Sequence, residues 1–378
     1  MFKLILLLNP VYVTLFWAVV LSFYSPRRNA PKAFLGKFMA VTFVVYLSHF
    51  FYFSEQTDIY RIIDAPYIWA SLLVYPLYHI YVRLLTVEKK FTLKSHTRYL
   101  FLPTLIFVLY LAGLLLMNKY EHTDFLQQNR AGLQADKGIH YFMSVIYNLW
   151  KGVFIAQVFY YLYANFMLII KNNRQLQNFY SNIEGRQLNW IQFFNISLAV
   201  TSVSSIIVAL AGREAFAENT YLLIVPSLVF SVMLFLIGLI GNNQSPAHTI
   251  EIESTDTKIK EPQDDINISR LKSKLDNLFE IEKIFINPTL KIWDVSKMLG
   301  TNRTYVSKLI NDKYNRNFCN HVNYYRIKHA KELIKNNPDT TNNQVADLAG
   351  FGSLNSFYRA FKSLEGISVK QFREQLFS

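Results

Sequence analysis

Residues 342–366 read NNQVADLAGFGSLNSFYRAFKSLEG. The apolar spacing predicts a short helix over Asn343–Ala349, then Gly350, then a second helix that Ser353 caps and that ends near Leu364. A glycine at this point permits the left-handed backbone that a tight turn between two helices needs. This layout is typical of a helix-turn-helix unit, whose second helix fits the major groove of DNA. The core predicted for the pair is Val345, Leu348, Phe351, Phe357 and Phe361.

The same pattern occurs upstream in residues 290–312, LKIWDVSKMLGTNRTYVSKLIND. It predicts a helix over Ile292–Leu299, a turn at Gly300, and a second helix that Thr301 or Asn302 caps and that runs to about Asp312. The core predicted here is Val295, Leu299, Val306 and Leu309.

An apolar-periodic helix is predicted between the two units, over Phe318–Lys335. At ~1.5 Å per residue it is about 27 Å long. One turn of DNA is ~34 Å, so a rigid spacer of this size would let two recognition helices enter successive major grooves.

Residues 269–374 resemble the AraC/XylS-type DNA-binding domain, a seven-helix double helix-turn-helix. The resemblance rests on ADLAGFGSLNSFYRAFKSLEG at 346–366, on Phe372-Arg373 after it, and on YYRIKHAKELI at 324–334. Two positions depart from the usual pattern: Asn315 stands where glycine is common, and Val369 stands where proline is usual. The resemblance implies an all-α domain of a bacterial transcription regulator, with promoter DNA as its partner.

The resemblance also implies which side chains contact DNA. Base-edge contacts would come from Thr304, Ser307, Lys308, Leu354, Asn355 and Arg359. Phosphate contacts would come from Arg303, Ser353, Ser356 and Lys362. The alternative for each of them is a solvated helix face. Core positions are expected for Phe357, Phe361 and Tyr325, and Cys319 is expected to be a buried small hydrophobe.

The first 241 residues are of a different kind, because they contain seven long apolar segments. A helix needs about 20 apolar residues to cross a bilayer. The segments are Leu4–Tyr24, Phe34–Phe53, Ile63–Val82, Tyr99–Met117, Gly152–Ile170, Trp190–Leu210 and Thr220–Gly241. Five of the seven contain no charged residue. Core helices of a soluble protein are the alternative, but they would need amphipathic partners to cover them. A signal peptide, the alternative for the first segment, would carry its positive cluster before the apolar run rather than after it.

Charge patterning predicts an orientation and three regions. With the N-terminus outside, the cytoplasmic loops hold 11 basic residues and the outer side holds 6. This is the bias of the positive-inside rule, and it places the C-terminal region in the cytoplasm of a bacterial inner membrane. The net charges are +9 for residues 1–241, −4 for 242–268 and +8 for 269–378. We therefore predict a polytopic membrane domain (1–241), an acidic flexible linker (242–268) and a DNA-binding domain (269–378).

The predicted spans contain few ionisable residues or histidines that could form a functional site. Asp64 lies at the outer edge of its span, where mild burial is expected. Lys151 is an intramembrane functional candidate if residues 141–150 extend its helix outward, and an interfacial lysine otherwise. His49 and His79 are isolated, so no metal site or cofactor is predicted. The single cysteine excludes a disulfide-stapled secreted protein, and 52% hydrophobic residues exclude a disordered chain.

The pattern as a whole indicates an all-α protein, a transmembrane bundle followed by a double helix-turn-helix. The leading hypothesis is a non-enzymatic, one-component transcription regulator that couples a signal ligand or membrane partner to promoter binding. A polytopic transporter or membrane enzyme with a regulatory DNA-binding tail is an alternative, and a structural tether of DNA to the membrane is another. Paired sites are compatible with a homodimer, although the chain contains no heptad run.

Overall fold

The structure is a computed structural model, and it describes residues 2–25, 29–86, 91–130, 137–184, 189–211, 220–243 and 265–377. Within these ranges the regular structure is helical, as predicted, and Tyr180 and Lys291 form an isolated antiparallel bridge. The chain divides into two units. Unit 1 comprises Met1–Ile170 and Leu188–Thr249, and unit 2 comprises Lys171–Gln187 and Ile250–Ser378.

The helices of the first part of the chain correspond to the predicted apolar segments, with one polar helix added. They are α1 (Phe2–Ser22), α2 (Ala30–Phe53), α3 (Thr57–Thr86), α4 (Leu93–Leu115), α5 (Lys119–Arg130), α6 (Gly138–Phe179), α7 (Asn189–Ala211) and α8 (Thr220–Asn243). Among the described residues, six helices are long and apolar enough to cross a membrane, and α7 contributes a shorter apolar stretch, Ile191–Ser204. The count of seven spans therefore stays a prediction.

Unit 1 is held together by close packing of α1 against α2 and α8, and of α3 against α2 and α4. Gly238 on α8 shows how tight the contact is, because a Cβ there would lie 2.3 Å from the Trp17 ring on α1. The outward faces carry large apolar side chains such as Phe101, Phe159 and Ile196, each more than 60% exposed. An apolar exterior over an apolar core is the pattern of helices that meet lipid rather than water.

Asp64 corrects one expectation from the sequence. Mild burial was expected at the edge of the span, yet Asp64 is 2% exposed. The Tyr110 hydroxyl donates a hydrogen bond of 2.5 Å to its carboxylate, and His122 Nε2 lies 3.7 Å from the same oxygen. The reason is α5, a short helix that no apolar period indicates, which brings His122 over the end of α3.

The helices of unit 2 after residue 264 form two small cores that share one long helix. They are α9 (Asp265–Glu280), a 3-10 turn (Ile284–Ile286), α10 (Ile292–Met298), α11 (Arg303–Tyr314), α12 (Phe318–Asn336), α13 (Asn342–Leu348), α14 (Leu354–Glu365) and α15 (Val369–Phe377). The N-terminal half of α12 contributes Phe318, Val322 and Tyr325 to the first core, and its C-terminal half contributes Ile327, Ala330 and Ile334 to the second. This sharing makes α12 the rigid spacer that the sequence predicts.

The predicted cores of unit 2 are confirmed except for Leu348. Val345 and Phe357 are fully buried, but Leu348 is 54% exposed. At about 100° per residue, Leu348 points roughly 100° away from the centre of the face formed by Val345, Ala346 and Ala349. The two alanines take the core positions because they allow closer packing. Of the predicted linker 242–268, residues 244–264 lie outside the described residues, and α9 already begins at Asp265.

Candidate nucleic-acid interface

The second helix pair is fixed by caps at each start and by a glycine turn between its helices. Thr341 and Gln344 form a capping box at α13, and the Ser353 hydroxyl accepts a hydrogen bond of 3.1 Å from the Ser356 amide at α14. Gly350 has φ +83°, and a Cβ there would lie 2.4 Å from the Ile286 carbonyl oxygen. Only glycine therefore fits this turn.

The first helix pair repeats this construction. Asn302, one of the two predicted caps, accepts a hydrogen bond of 3.0 Å from the Tyr305 amide at the start of α11. Gly300 occupies the turn with φ +66°, and α11 ends at Asn315 with φ +51°. Asn315 thus adopts the left-handed conformation for which glycine is more usual, as its sequence position predicts.

The first helices and turn glycines of the two pairs are offset by fifty residues, and the second helices, α11 and α14, by fifty-one. Val295 and Val345 are both fully buried, and the turn glycines 300 and 350 share the left-handed backbone. Met298 and Leu348 are both 54% exposed. The correspondence indicates two copies of one helix-turn-helix unit.

The outer faces of α11 and α14 carry the predicted DNA contacts. The exposed residues are Thr304, Lys308, Asn355, Arg359 and Lys362. The half-buried ones are Arg303, Ser307, Ser353, Leu354 and Ser356. Leu354 packs partly against the second core, so its outward position is less complete than predicted. The structure thus places the predicted contacts on the two recognition helices and at the Ser353 cap, and the roles of these residues stay predictions.

Comparison with known proteins identifies the same region. The helix-turn-helix domain family matches residues 295–375. Residues 295–375 therefore form an AraC-type helix-turn-helix domain. The chain is 28% identical over 117 residues to the uncharacterized transcriptional regulatory protein YesN of Bacillus subtilis. It is 26% identical over 88 residues to the Msm operon regulatory protein of Streptococcus mutans.

The similarities to these two relatives cover only part of each molecule. The alignments cover 30% and 23% of this chain, and the chain spans 31% of the length of each of the two curated relatives. No solved structure matches the chain. The likeness therefore concerns the AraC-type domain, and it gives no information about unit 1.

The AraC-type domain contains a buried arginine that the sequence analysis missed. Arg326 on α12 is 1% exposed, and its guanidinium donates hydrogen bonds of 2.7 Å to the carbonyl oxygens of Phe285 and Asn287. Burial lowers the pKa of Arg326 to about 10, so the side chain is still a cation at neutral pH. Arg326 therefore links the loop before the first helix pair to α12, the helix that the two cores share. A lone arginine on an apolar-periodic helix gives no sequence signal of this role.

Lys331 and Arg373 also form contacts within the domain, so neither is a free positive charge. Lys331 on α12 forms an ion pair of 2.6 Å with Glu365 at the end of α14. Arg373 donates hydrogen bonds to the carbonyl oxygens of Pro338 and Thr340. The Lys331 ion pair therefore links α14 to α12, and Arg373 links α15 to the loop between α12 and α13. Lys308 and Lys362 on the helix faces are exposed, and exposed cations attract a polyanion.

A carboxylate from the N-terminal part of the sequence contacts the second recognition helix. Glu184 Oε1 lies 2.9 Å from Arg359 Nη2, and Glu184 Oε2 accepts a hydrogen bond from the Ser353 hydroxyl. Both partners are predicted DNA contacts. Sequence reasoning missed this ion pair because Glu184 and Arg359 are 175 residues apart.

Unit 1 contains a separate cavity of about 340 Å³. Apolar side chains line most of it, and Thr42, Tyr46 and His49 add polar atoms. Lys151 lies on α6, which starts at Gly138 and so includes residues 141–150, and its ammonium group is 4.9 Å from the centre of the Tyr147 ring. His79 Nδ1 is 2.7 Å from Asn165 Oδ1, so this histidine has a polar partner on α6.

Proposed function

We propose that the chain is a membrane-integrated, sequence-specific transcription regulator. One observation carries the proposal: two matching helix-turn-helix units share a rigid helix and present polar, basic recognition faces, on the same chain as a bundle of apolar helices. The AraC-type domain supports DNA binding, and the regulatory names of both relatives support the control of transcription.

The apolar exterior of unit 1 supports insertion in a lipid bilayer. The loop charges favour an outer N-terminus and a cytoplasmic C-terminal domain in a bacterial inner membrane. This topology gives the AraC-type domain access to the chromosome. It also leaves unit 1 able to receive a signal from the membrane or from outside.

Two kinds of contact would hold promoter DNA. Arg359 can bind guanine bidentately, Asn355 can pair with adenine, and each such contact contributes about 1–3 kcal/mol of discrimination. Thr304, Ser307, Lys308 and Leu354 complete the base-reading set. The phosphate contacts would set affinity and register, and they come from Arg303, Ser353, Ser356 and Lys362.

The cavity in unit 1 is the proposed site for the signal. Its volume of about 340 Å³ is in the range of small-molecule sites, and its lining suits an apolar ligand with one or two polar groups. Lys151 is a further candidate within the spans. A second copy of the chain would let paired domains occupy paired promoter sites. We assign the chain no catalytic role.

The buried Asp64–Tyr110–His122 cluster favours a second candidate, a transporter with a regulatory DNA-binding tail. Such a cluster is expensive to place in an apolar bundle and is by default a functional candidate. Loss of labelled-solute uptake by cells that carry Asp64→Asn, with promoter occupancy unchanged, would support this candidate over a sensor.

Mapping of chromosomal DNA bound by the full chain in its own cells tests the main proposal. Arg359→Ala is expected to lower occupancy at specific sites by about 5- to 150-fold, the equivalent of 1–3 kcal/mol. Lys370→Ala is the matched control, because it removes a cation that is 85% exposed on α15. Equal occupancy profiles for wild type and Arg359→Ala, with no sequence motif among the bound fragments, would contradict the proposal.

A further inference from the structure

The second recognition helix is contacted at Ser353 and Arg359 by a segment that includes the end of α6 and the chain after it. Residues 177–184, here called the docking segment, belong to unit 2 together with the AraC-type domain. The segment begins in the last turn of α6 and continues as extended chain past Tyr180, which pairs with Lys291.

Ser181 anchors the docking segment near its middle. This residue is 2% exposed, and its amide and hydroxyl both donate to the Leu290 carbonyl oxygen, at 3.2 and 2.6 Å. Arg326 Nη2 donates to the Ser181 hydroxyl at 3.3 Å, and the Cys319 thiol donates to the Ser181 carbonyl oxygen at 3.4 Å. The backbone and the side chain of Ser181 are therefore both hydrogen-bonded to the rest of unit 2.

Glu184 then places a negative charge on the two donors that the proposed function assigns to DNA. Its carboxylate bridges Arg359 and Ser353, as described above. A carboxylate and a phosphate present the same charged oxygen acceptors, and an arginine fork binds either. The Glu184 amide donates to Asn182 Oδ1 at 3.0 Å, and this turn aims the carboxylate at α14.

The docking segment also contacts the first recognition helix. The Arg303 guanidinium lies 5.3 Å from the centre of the Phe179 ring, and Phe179 packs against the first core. Asn317, the cap of α12, donates to Gln177 Oε1 at 3.2 Å. One short segment therefore reaches Arg303, Ser353 and Arg359, three residues of the proposed DNA interface.

We propose that the docking segment is a competitor of DNA built into the chain, so that promoter binding requires its release. This inference rests on the proposed DNA-binding function and deepens it by naming the regulated contact. The segment is the direct continuation of α6 and leads along the chain to α7. A movement of either helix would therefore displace the docking segment directly. The signal would not have to pass through the predicted linker, residues 242–268.

A reversible crosslink tests the competition. A Cβ built on Gly352 would lie 2.2 Å from Asn182 Nδ2, so Asn182→Cys with Gly352→Cys places two thiols within disulfide reach. The variant is made in a Cys319→Ser background as the full chain in nanodiscs. The probe is a labelled 40-bp duplex pool of random sequence. The oxidised form is expected to bind the pool at least tenfold more weakly than the same sample after reduction, and Asn182→Cys alone is expected to show no difference.

Charge reversal provides the opposite perturbation. Glu184→Lys replaces the ion pair with a repulsion from Arg359, and Glu374→Lys makes the same charge change at an exposed position on α15. Glu184→Lys is expected to bind the pool at least about fivefold more tightly than Glu374→Lys.

The outcomes distinguish a failure of the proposed competition from a failure of the proposed DNA-binding function. If all variants bind the pool, oxidised and reduced samples bind alike and the two charge reversals agree, the segment is no competitor although DNA binding stands. If none of the variants binds the pool, including Glu184→Lys, the proposed function fails and the inference fails with it.

Discussion

His321 makes the AraC-type domain sensitive to mild acid. This residue of α12 is 1% exposed, and its ring lies 4.8 Å from that of Phe279 and 4.6 Å from that of Tyr314, centre to centre. Burial lowers the pKa of His321 to about 4, the nearby Arg316 cation acts in the same direction, and Asp276 opposes both. The native state therefore holds the imidazole neutral at a pH where a free histidine is charged.

The sign and size of the effect follow from proton linkage. In the unfolded chain the pKa of histidine is about 6.5, so between pH 6.5 and about 4 the unfolded state binds a proton that the native state does not. The free energy of unfolding therefore falls as the pH falls through this window, and this contribution becomes constant below it. Between pH 7.5 and pH 4.5 the loss from His321 alone is about 2–3 kcal/mol.

Hydrogen exchange measured on peptides of α12 in the full chain detects this loss locally. Wild type is compared with His321→Phe, which keeps an aromatic ring in the cluster and removes the titration. Between pH 7.5 and 4.5, protection in wild type is expected to fall about 30- to 150-fold further than in the variant, the equivalent of about 2–3 kcal/mol.

Equal losses of protection in the two proteins would refute this reasoning and assign the acid sensitivity to another group. Asp276 titrates in both proteins. Its pKa is lowered by its hydrogen bonds with Lys272 and Tyr314 against the opposing effect of burial, so its stabilising effect is lost at a lower pH than that of His321.

Substitutions at three positions test other parts of the AraC-type domain by urea unfolding and by the same exchange measurement. Arg326→Met is expected to cost about 3–5 kcal/mol, because it leaves two backbone carbonyls of the adjoining loop without their charged donor. Gly350→Ala is expected to cost about 2–4 kcal/mol, since alanine must adopt a positive φ and clash with the Ile286 carbonyl. Asn315→Ala is expected to cost about 1 kcal/mol at the left-handed end of α11, whereas Asn315→Gly stays within about 0.5 kcal/mol of wild type.

Local signals explain why the helix-turn-helix units could be predicted closely. A cap, a glycine turn and an apolar period are properties of neighbouring residues, so Asn302, Gly300 and Gly350 indicate the bends directly. The apolar spacing alone was a poorer guide to the core. It placed Leu348 in the core, whereas the close packing of α13 selects Ala346 and Ala349 and leaves the larger residue outside.

Contacts between distant parts of the chain could not be predicted in this way. Asp64 meets Tyr110 and His122 only because three helices converge, and no periodicity in one helix encodes the position of another. The ion pair of Glu184 with Arg359 is a still longer-range case. A carboxylate in a polar stretch has the same sequence appearance whether it is solvated or bound.

The segment 171–187 shows why charge must be assigned by structure as well as by position. Lys171, Arg174 and Arg186 count as cytoplasmic loop charges under the positive-inside rule, yet the whole segment belongs to unit 2. Basic residues there can hold the loop on the cytoplasmic side and also add to the field that attracts DNA. The only acidic residue of the segment, Glu184, is the one that pairs with Arg359. The orienting role and the competing role that we propose therefore belong to the same loop. A division of the chain at residue 241 separates this loop from the AraC-type domain, although its described residues contact that domain.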